Sequence, residues 1–373
     1  MAYASIAKNL DHYDSIQYVG NGYASSTIKV VNTTNSFRPD WVWVKNMDSG
    51  SRHWHSQDST NGEIKWLALD DNDAHNTEAD WTFDFKSTGI EIPNSSNRTN
   101  TDGENYICGM LKANGGTTSS NSDGSITSTV QANTTAGFSI VTWTGTGSAG
   151  TIGHGLGKKP DWIFVKRTSD TEWWQVYCSK ANSDDNSSFS TDPETDYIEG
   201  GHNASLADNV NRWNDTKPTT SVFSVGNHTS VNNGSDTYVA YCISAIKGFS
   251  HVGLYRGNGT NDSAFVYTGG KPKTVWIKST SSGTWVMQDE KMNYNRKMGS
   301  GQQYFMSPEN ENAKEAQTSG HYSGHGPSWI DLRANGFKIS TSNAWLGDGY
   351  KYMYLAFLEE PIVSTNGVPA TAR

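Results

Sequence analysis

Short apolar runs alternate along this chain with stretches rich in Gly, Ser, Thr and Asn. The runs are four to eight residues long and dominated by Val, Ile, Trp, Tyr and Phe, the signature of strands bounded by turns. Ser139-Ile140-Val141-Thr142-Trp143 mixes polar and apolar positions, as a half-exposed strand does. Trp41-Val42-Trp43-Val44 is apolar on both faces. Such a strand is covered on both sides, or one of its faces meets another module. Sustained 3.6-residue periodicity is lacking, and one short helix is predicted over 307–316. There Ser307 would cap, Pro308 would take the first helical position, and acids follow.

One unit recurs three times. It has a Gly-rich turn, then a basic residue with Pro, then an apolar strand ending in Lys. The turns are Gly20-Asn21-Gly22, Gly145-Thr146-Gly147 and Gly257-Asn258-Gly259. The strands run from Arg38-Pro39 to Lys45, from Lys159-Pro160 to Lys166 and from Lys271-Pro272 to Lys278. A Trp follows each (Trp54, Trp173, Trp285), and each copy closes on a second apolar strand. These begin at Tyr106-Ile107-Cys108, Tyr238-Val239-Ala240 and Tyr354-Leu355-Ala356. In that alignment Cys108 matches Ala240 and Ala356, and Cys242 matches Leu358. Pitches of about 110–120 residues are the size of whole domains, too long for a solenoid repeat. The predicted fold class is all-β, with three consecutive antiparallel, jelly-roll-like β-sandwich modules. They are expected at 1–113, 137–247 and 248–373, with a Gly/Ser/Thr-rich linker over 114–136 that leaves the first module the most mobile.

Composition changes this picture in one respect. Hydrophobic residues are 34 % and charged residues 18 % of the 373, and about a third of the chain is Ser, Thr, Asn and Gln. Disordered chains are poor in aromatics, whereas this one has 14 Trp, 17 Tyr and 12 Phe. Its cores are therefore expected to be built from few but large residues. The net charge of -9 and the want of a basic stripe argue against nucleic acid. No apolar run reaches the length of a membrane span, and the first residues lack the apolar stretch of a secretory leader. Three cysteines at unrelated spacings read as free thiols.

Candidate chemistry is sparse. Gly145–Gly150 matches the dinucleotide fingerprint literally, but the following Thr151-Ile152-Gly153-His154 is no helix. His53 and His55, and His321 and His325, read as surface histidines because no third ligand accompanies them. The acidic loops Asp70-Asp71-Asn72-Asp73 and Asp184-Asp185-Asn186 could hold Ca²⁺ or simply favour turns. Trp66, Trp213 and Trp345 lie in loop-like sequence and are the candidate ligand or interface contacts, with Trp213 and Trp345 expected to be exposed.

The second copy's turn, its run Lys159-Pro160-Asp161-Trp162-Ile163-Phe164-Val165-Lys166 and its closing Tyr238-Val239-Ala240-Tyr241 resemble a β-module of tailed-phage virion proteins, of the cyanophage and marine-phage type. So do residues 124–142 and the ending Gly367–Arg373. The resemblance covers most of 105–373, and the first copy is the weaker match. It implies a virion location, with assembly in the host cytoplasm, and transfers no catalytic residue, metal ligand or cofactor. The expectation is a non-enzymatic structural protein of a tail fibre or appendage. Its partners would be other virion proteins, copies of itself (a trimer) and host-surface glycans. Capsid decoration or a head fibre is the alternative, as is a lectin-like or glycan-degrading tail protein.

Overall fold

The computed structural model describes residues 4–23, 27–78, 81–94, 96–181, 193–293, 304–316 and 329–363. The first repeat holds β1 (Tyr13–Val19), β2 (Lys29–Asn32), β3 (Trp41–Asn46), β4 (His55–Asp58), β5 (Leu67–Ala68), β6 (Asp84–Lys86), β7 (Gly89–Ile92) and β8 (Asn105–Leu111). The second holds β9 (Ser119–Asn121), β10 (Ser128–Asn133), β11 (Phe138–Thr144), β12 (Gly150–Gly153), β13 (Trp162–Arg167), β14 (Trp174–Cys178), β15 (Asp196–Gly200), β16 (Ala207–Asp208), β17 (Val222–Val225) and β18 (Thr237–Ile243). It also holds two one-turn helices, α1 (Val210–Trp213) and α2 (Thr229–Asn232). The third holds β19 (Ser250–Arg256), β20 (Phe265–Tyr267), β21 (Gly270–Ser279), β22 (Val286–Asp289), β23 (Tyr304–Phe305), β24 (Glu315–Ala316), β25 (Ile330–Arg333), β26 (Gly336–Ile339) and β27 (Lys351–Pro361).

Each repeat is a two-sheet sandwich. The large sheets share one strand order: β1-β8-β3-β4-β5, β11-β18-β13-β14-β15 and β19-β27-β21-β22. The small sheets are β2-β7-β6, β12-β17 and β20-β26-β25. All strand pairings between these elements are antiparallel. The fold is thus all-β and of sandwich type, as the sequence pattern predicts.

The apolar run on both faces has a direct structural counterpart. Val42 and Val44 face the small sheet with Phe83, Phe85, Ile90 and Ile92, while Trp41 and Trp43 point the other way. In the second repeat Ile163 and Val165 face inward, and Trp162 and Phe164 face outward. In the third, Val275 and Ile277 face inward and Trp276 faces outward. The outward faces of all three large sheets meet in one shared core. Trp276 lies 5.8 Å from Trp43 and 6.2 Å from Phe164, and Trp41 stacks on Tyr241 at 4.2 Å, centroid to centroid. Gly109, opposite Trp43, is required there, because a Cβ would stand 2.3 Å from the indole.

Four sequence expectations change. Residues 114–136 are not a free linker: β9 and β10 lie within them and extend the second large sheet. The span 307–316 forms a turn and strand β24 rather than a helix. The Trp equivalent to Trp54 and Trp285 is Trp174, not Trp173, since each stands one step before or at the start of the strand paired with the Lys-ending strand. Finally, the register places Tyr352, not Tyr354, beside Tyr106 and Tyr238, opposite Ser279, Asn46 and Arg167. Cys108 therefore matches Ala240 and Tyr354, and Cys242 matches Ala356. A slip of two residues keeps every side chain on its face, so the alternation of the sequence does not reveal it. The three cysteines are free and buried, and burial pushes each thiol upward in pKa.

Because the central core is shared, the three repeats should unfold in one cooperative transition. Scanning calorimetry showing separate transitions for the repeats would contradict this.

Candidate functional site

Polar chemistry concentrates where the repeats meet. Each repeat contributes a buried Trp whose indole N–H crosses to the next. Trp54 Nε1 donates to the Ser307 carbonyl (3.1 Å), Trp174 Nε1 to that of Ala68 (2.8 Å), and Trp285 Nε1 to that of Glu199 (3.1 Å). The three acceptors are equivalent. Ala68 lies opposite His55 and Glu199 opposite Gln175, and the Met287–Met306 bridge sets Ser307 opposite Val286. Two residues before each Trp, a backbone N–H donates four residues past the acceptor. These bonds run from Arg52 to Glu311 (3.4 Å), from Glu172 to Asn72 (2.8 Å) and from Gly283 to Asn203 (3.2 Å). First binds third, third binds second and second binds first, so the ring is closed.

The Lys that ends each signature strand serves these same loops. Lys45 Nζ donates to the carbonyls of Arg52 and of Glu311 (2.9 Å). Lys166 Nζ donates to those of Glu172 (2.6 Å) and Asn72 (2.9 Å), and Lys278 Nζ to that of Gly283. All three are buried among carbonyls, and burial lowers each pKa to about 8. The recurrence of this Lys is visible in the sequence; its acceptors are loop carbonyls, those of Glu311 and Asn72 on another repeat, which strand periodicity does not indicate.

The seam between the first and third repeats carries the densest charge. His53 Nδ1 lies 3.3 Å from Asp70 Oδ1, and its Nε2 lies 2.7 Å from Glu311 Oε1 and 3.6 Å from Asp71 Oδ2. Asp70 Oδ1 also accepts the Trp54 backbone N–H. Hydrogen bonding to Asp70 is the main reason that the His53 pKa is raised. Beside it the Arg98 guanidinium lies 4.7 Å over Trp66 and 4.5 Å over Trp81, and the His55 ring stacks on Trp66 at 4.9 Å. The arrangement is an ion-pair clasp that pins the third repeat's loop onto the first. Elsewhere on this seam Tyr13, Ser15 and Asp14 meet Thr274, Asp289 and Lys273. Burial raises Asp289 to about 6 there.

The sequence candidates do not converge. Trp66 is buried in the clasp. Trp213 is buried too, against the expected exposure, with its indole donating to the Asp196 carbonyl (3.1 Å) inside the second sandwich. Trp345 is half-buried in the third, packed on Phe305 and Trp329. In each case a small core takes up the large ring. His53 and His55 part company, since His55 is buried and burial lowers it to about 3. In the Asp70–Asp73 loop, Asp70 holds Trp54 and His53, and the Asn72 carbonyl holds Lys166. Asp184–Asn186, His321 and His325 lie outside the described residues. Among the described residues no group of three or more His, Cys, Asp or Glu is set to hold a metal ion. The Gly145–Gly150 turn enters strand β12, and its Gly145 and Gly147 amides bond to the carbonyls of Asp236 and Asn232. No helix of the described residues is long and apolar enough to cross a membrane. Where the three seams converge, Leu69, Phe164, Trp174, Trp276, Trp285 and Pro308 line an apolar pocket of about 20 Å³. It has room for roughly one water and almost no polar group to hold it.

Two tests follow from the seams. Trp54→Phe, Trp174→Phe and Trp285→Phe each leave a buried carbonyl unpaired, and each should cost about 1–3 kcal/mol in urea unfolding. Equal stability of all three variants and the parent would show that the indole bonds are dispensable. A raised folded pKa at His53 contributes stability that is complete below its ordinary 6.5 and is lost as pH rises through the folded value. His53→Gln should therefore destabilise at pH 5.5 and approach the parent at high pH, read from urea midpoints across that range.

No curated protein matches the chain. One family does, over residues 8–361, a span that runs through all three repeats and their shared core. The chain belongs to that family, described as a domain of unknown function, DUF7483.

Proposed function

We propose that this protein is a non-enzymatic structural component of a bacteriophage particle, on a tail fibre or other tail appendage, where it engages the host surface or neighbouring virion proteins. The observation that carries the reading is the closed ring of seams. The repeated Trp and Lys residues and the charged clasp are all spent on holding three sandwiches to one another. A rigid body of this kind suits a load-bearing or displayed particle part. The resemblance of Lys159–Lys166 and residues 124–142 to tailed-phage β-modules supports the same reading. The ring also supplies within one chain the threefold arrangement that homo-oligomers build from separate chains.

The test is quantitative mass spectrometry of purified particles. The chain should co-purify with them at low copy number, together with tail proteins. A copy number rivalling the main capsid protein would move it to the head as a decoration protein. Its absence from particles, with the chain found only in the soluble lysate, would overturn the proposal.

A further inference from the structure

The three repeats share a framework but close one side of their sandwiches differently. The positions correspond through the pairing registers. Ile16, Val141 and Gly253 are equivalent, lying opposite Cys108, Ala240 and Tyr354. Asp14, Ser139 and His251 are therefore equivalent as well. On the small sheets Val31, Ile152 and Val266 correspond, opposite Ile90, Phe223 and Phe337. Thr34, Gly155 and Gly269 thus occupy one position.

In the second repeat this side is filled by β10, which pairs with the outer edge of β11, Ala132 lying opposite Ser139. Its side chains reach the small-sheet loop, for a Cβ on Gly155 would stand 2.8 Å from Val130 and 3.4 Å from Ala132. In the first repeat a side chain closes the gap: Asp14 Oδ2 accepts the Thr34 N–H at 2.6 Å, and Asp11 accepts from Asn35. Among the described residues of the third repeat neither device is present. His251 turns to Tyr354, whose hydroxyl lies 2.9 Å from its Nδ1 and whose ring stacks on the imidazole. A groove of about 490 Å³ is left, lined by Ser250, His251, Tyr267, Gly269, Ile362 and Val363 among others. A Cβ on Gly269 would meet nothing within 4 Å. Among the described residues β19 is the outer strand of its sheet. The preceding chain does not supply a β10 of its own, since Phe249 and Ser250 turn back tightly onto the Ile246 carbonyl (both 2.9 Å).

We propose that this groove takes an extended polypeptide segment from another molecule, added to the outer edge of β19 as β10 is added to β11. Strand addition satisfies the open edge with main-chain hydrogen bonds, and alternate side chains supply specificity. The occupant's chemistry follows from the second repeat. Small or β-branched side chains, as at Val130 and Ala132, face the groove. Exposed Lys247 lines the groove and Lys180 acts on His251, with Asp161 the opposing acid there, so an uncharged or acidic segment fits better than a basic one.

The probe is a synthetic peptide of the chain's own strand, Ser125–Thr134, titrated calorimetrically into the full-length protein. Saturable binding is expected, with amide exchange slowed over Ser250–Arg256. Tyr267 is 59 % exposed, so Tyr267→Ala should keep its melting temperature while losing about tenfold in affinity. No saturable binding by about 1 mM peptide overturns the proposal. So does equal affinity of the Tyr267→Ala variant, or protection that appears on the edge of β1 instead. Self-association of the protein alone, abolished by Tyr267→Ala, would assign the groove to a second copy and likewise overturn it.

Discussion

A buried indole N–H whose acceptor lies only on the neighbouring repeat is the constraint on which this architecture rests. An unpaired buried polar group costs about 1–3 kcal/mol, and here the donor and its carbonyl sit on different repeats. Separating the sandwiches would strand three indoles and three carbonyls together. It would also expose the outward rings of Trp41, Trp43, Trp162, Phe164 and Trp276, an apolar surface of the kind a soluble domain does not leave bare. Directional bonds set the register of the ring, and the aromatic core supplies most of the attraction that holds it.

The same geometry explains why so polar a chain folds. Each sandwich keeps a small core of its own, and the outer face of each large sheet does a second service in the common core. Strand β3 and its equivalents are therefore covered on both sides, although each belongs to a sheet with only one facing sheet. The Lys residues that end these strands lie buried at the rims of the shared core. There carbonyls, not carboxylates, accept their hydrogen bonds, and burial outweighs the pull of nearby acids such as Asp70, Glu172 and Glu309, so each is held at a lowered pKa. The repeats diverge at the sandwich edges among other places, and there a strand, an aspartate and an open groove stand at one structural position.

Much of this was legible in the residues. Alternation and turn punctuation suffice for the signature strands and the strands that close each copy, and the recurrence of Pro39, Pro160 and Pro272 suffices for the repeats. The two-faced run Trp41–Val44 announced that something covers its second face. The choice between Trp173 and Trp174 was not legible, because adjacent positions in a strand differ only in which side they face. The two-residue slip from Tyr352 to Tyr354 was hidden for the complementary reason, that both face the same way. The stretch 114–136 reads as linker because an edge strand with small polar side chains carries little apolar signal.

Local pattern therefore decides the strands, their faces and their threefold repetition, since these depend on neighbours close in the chain. Burial of Trp66 and Trp213 is decided when their own sandwiches fold, and the acceptors Glu311 of Lys45 and Asn72 of Lys166, with the pairing of His53 and Glu311, only when the ring closes. Their partners lie about 20 to 260 residues away along the chain, or on another repeat, and no spacing in the sequence encodes which carbonyl a buried donor will meet.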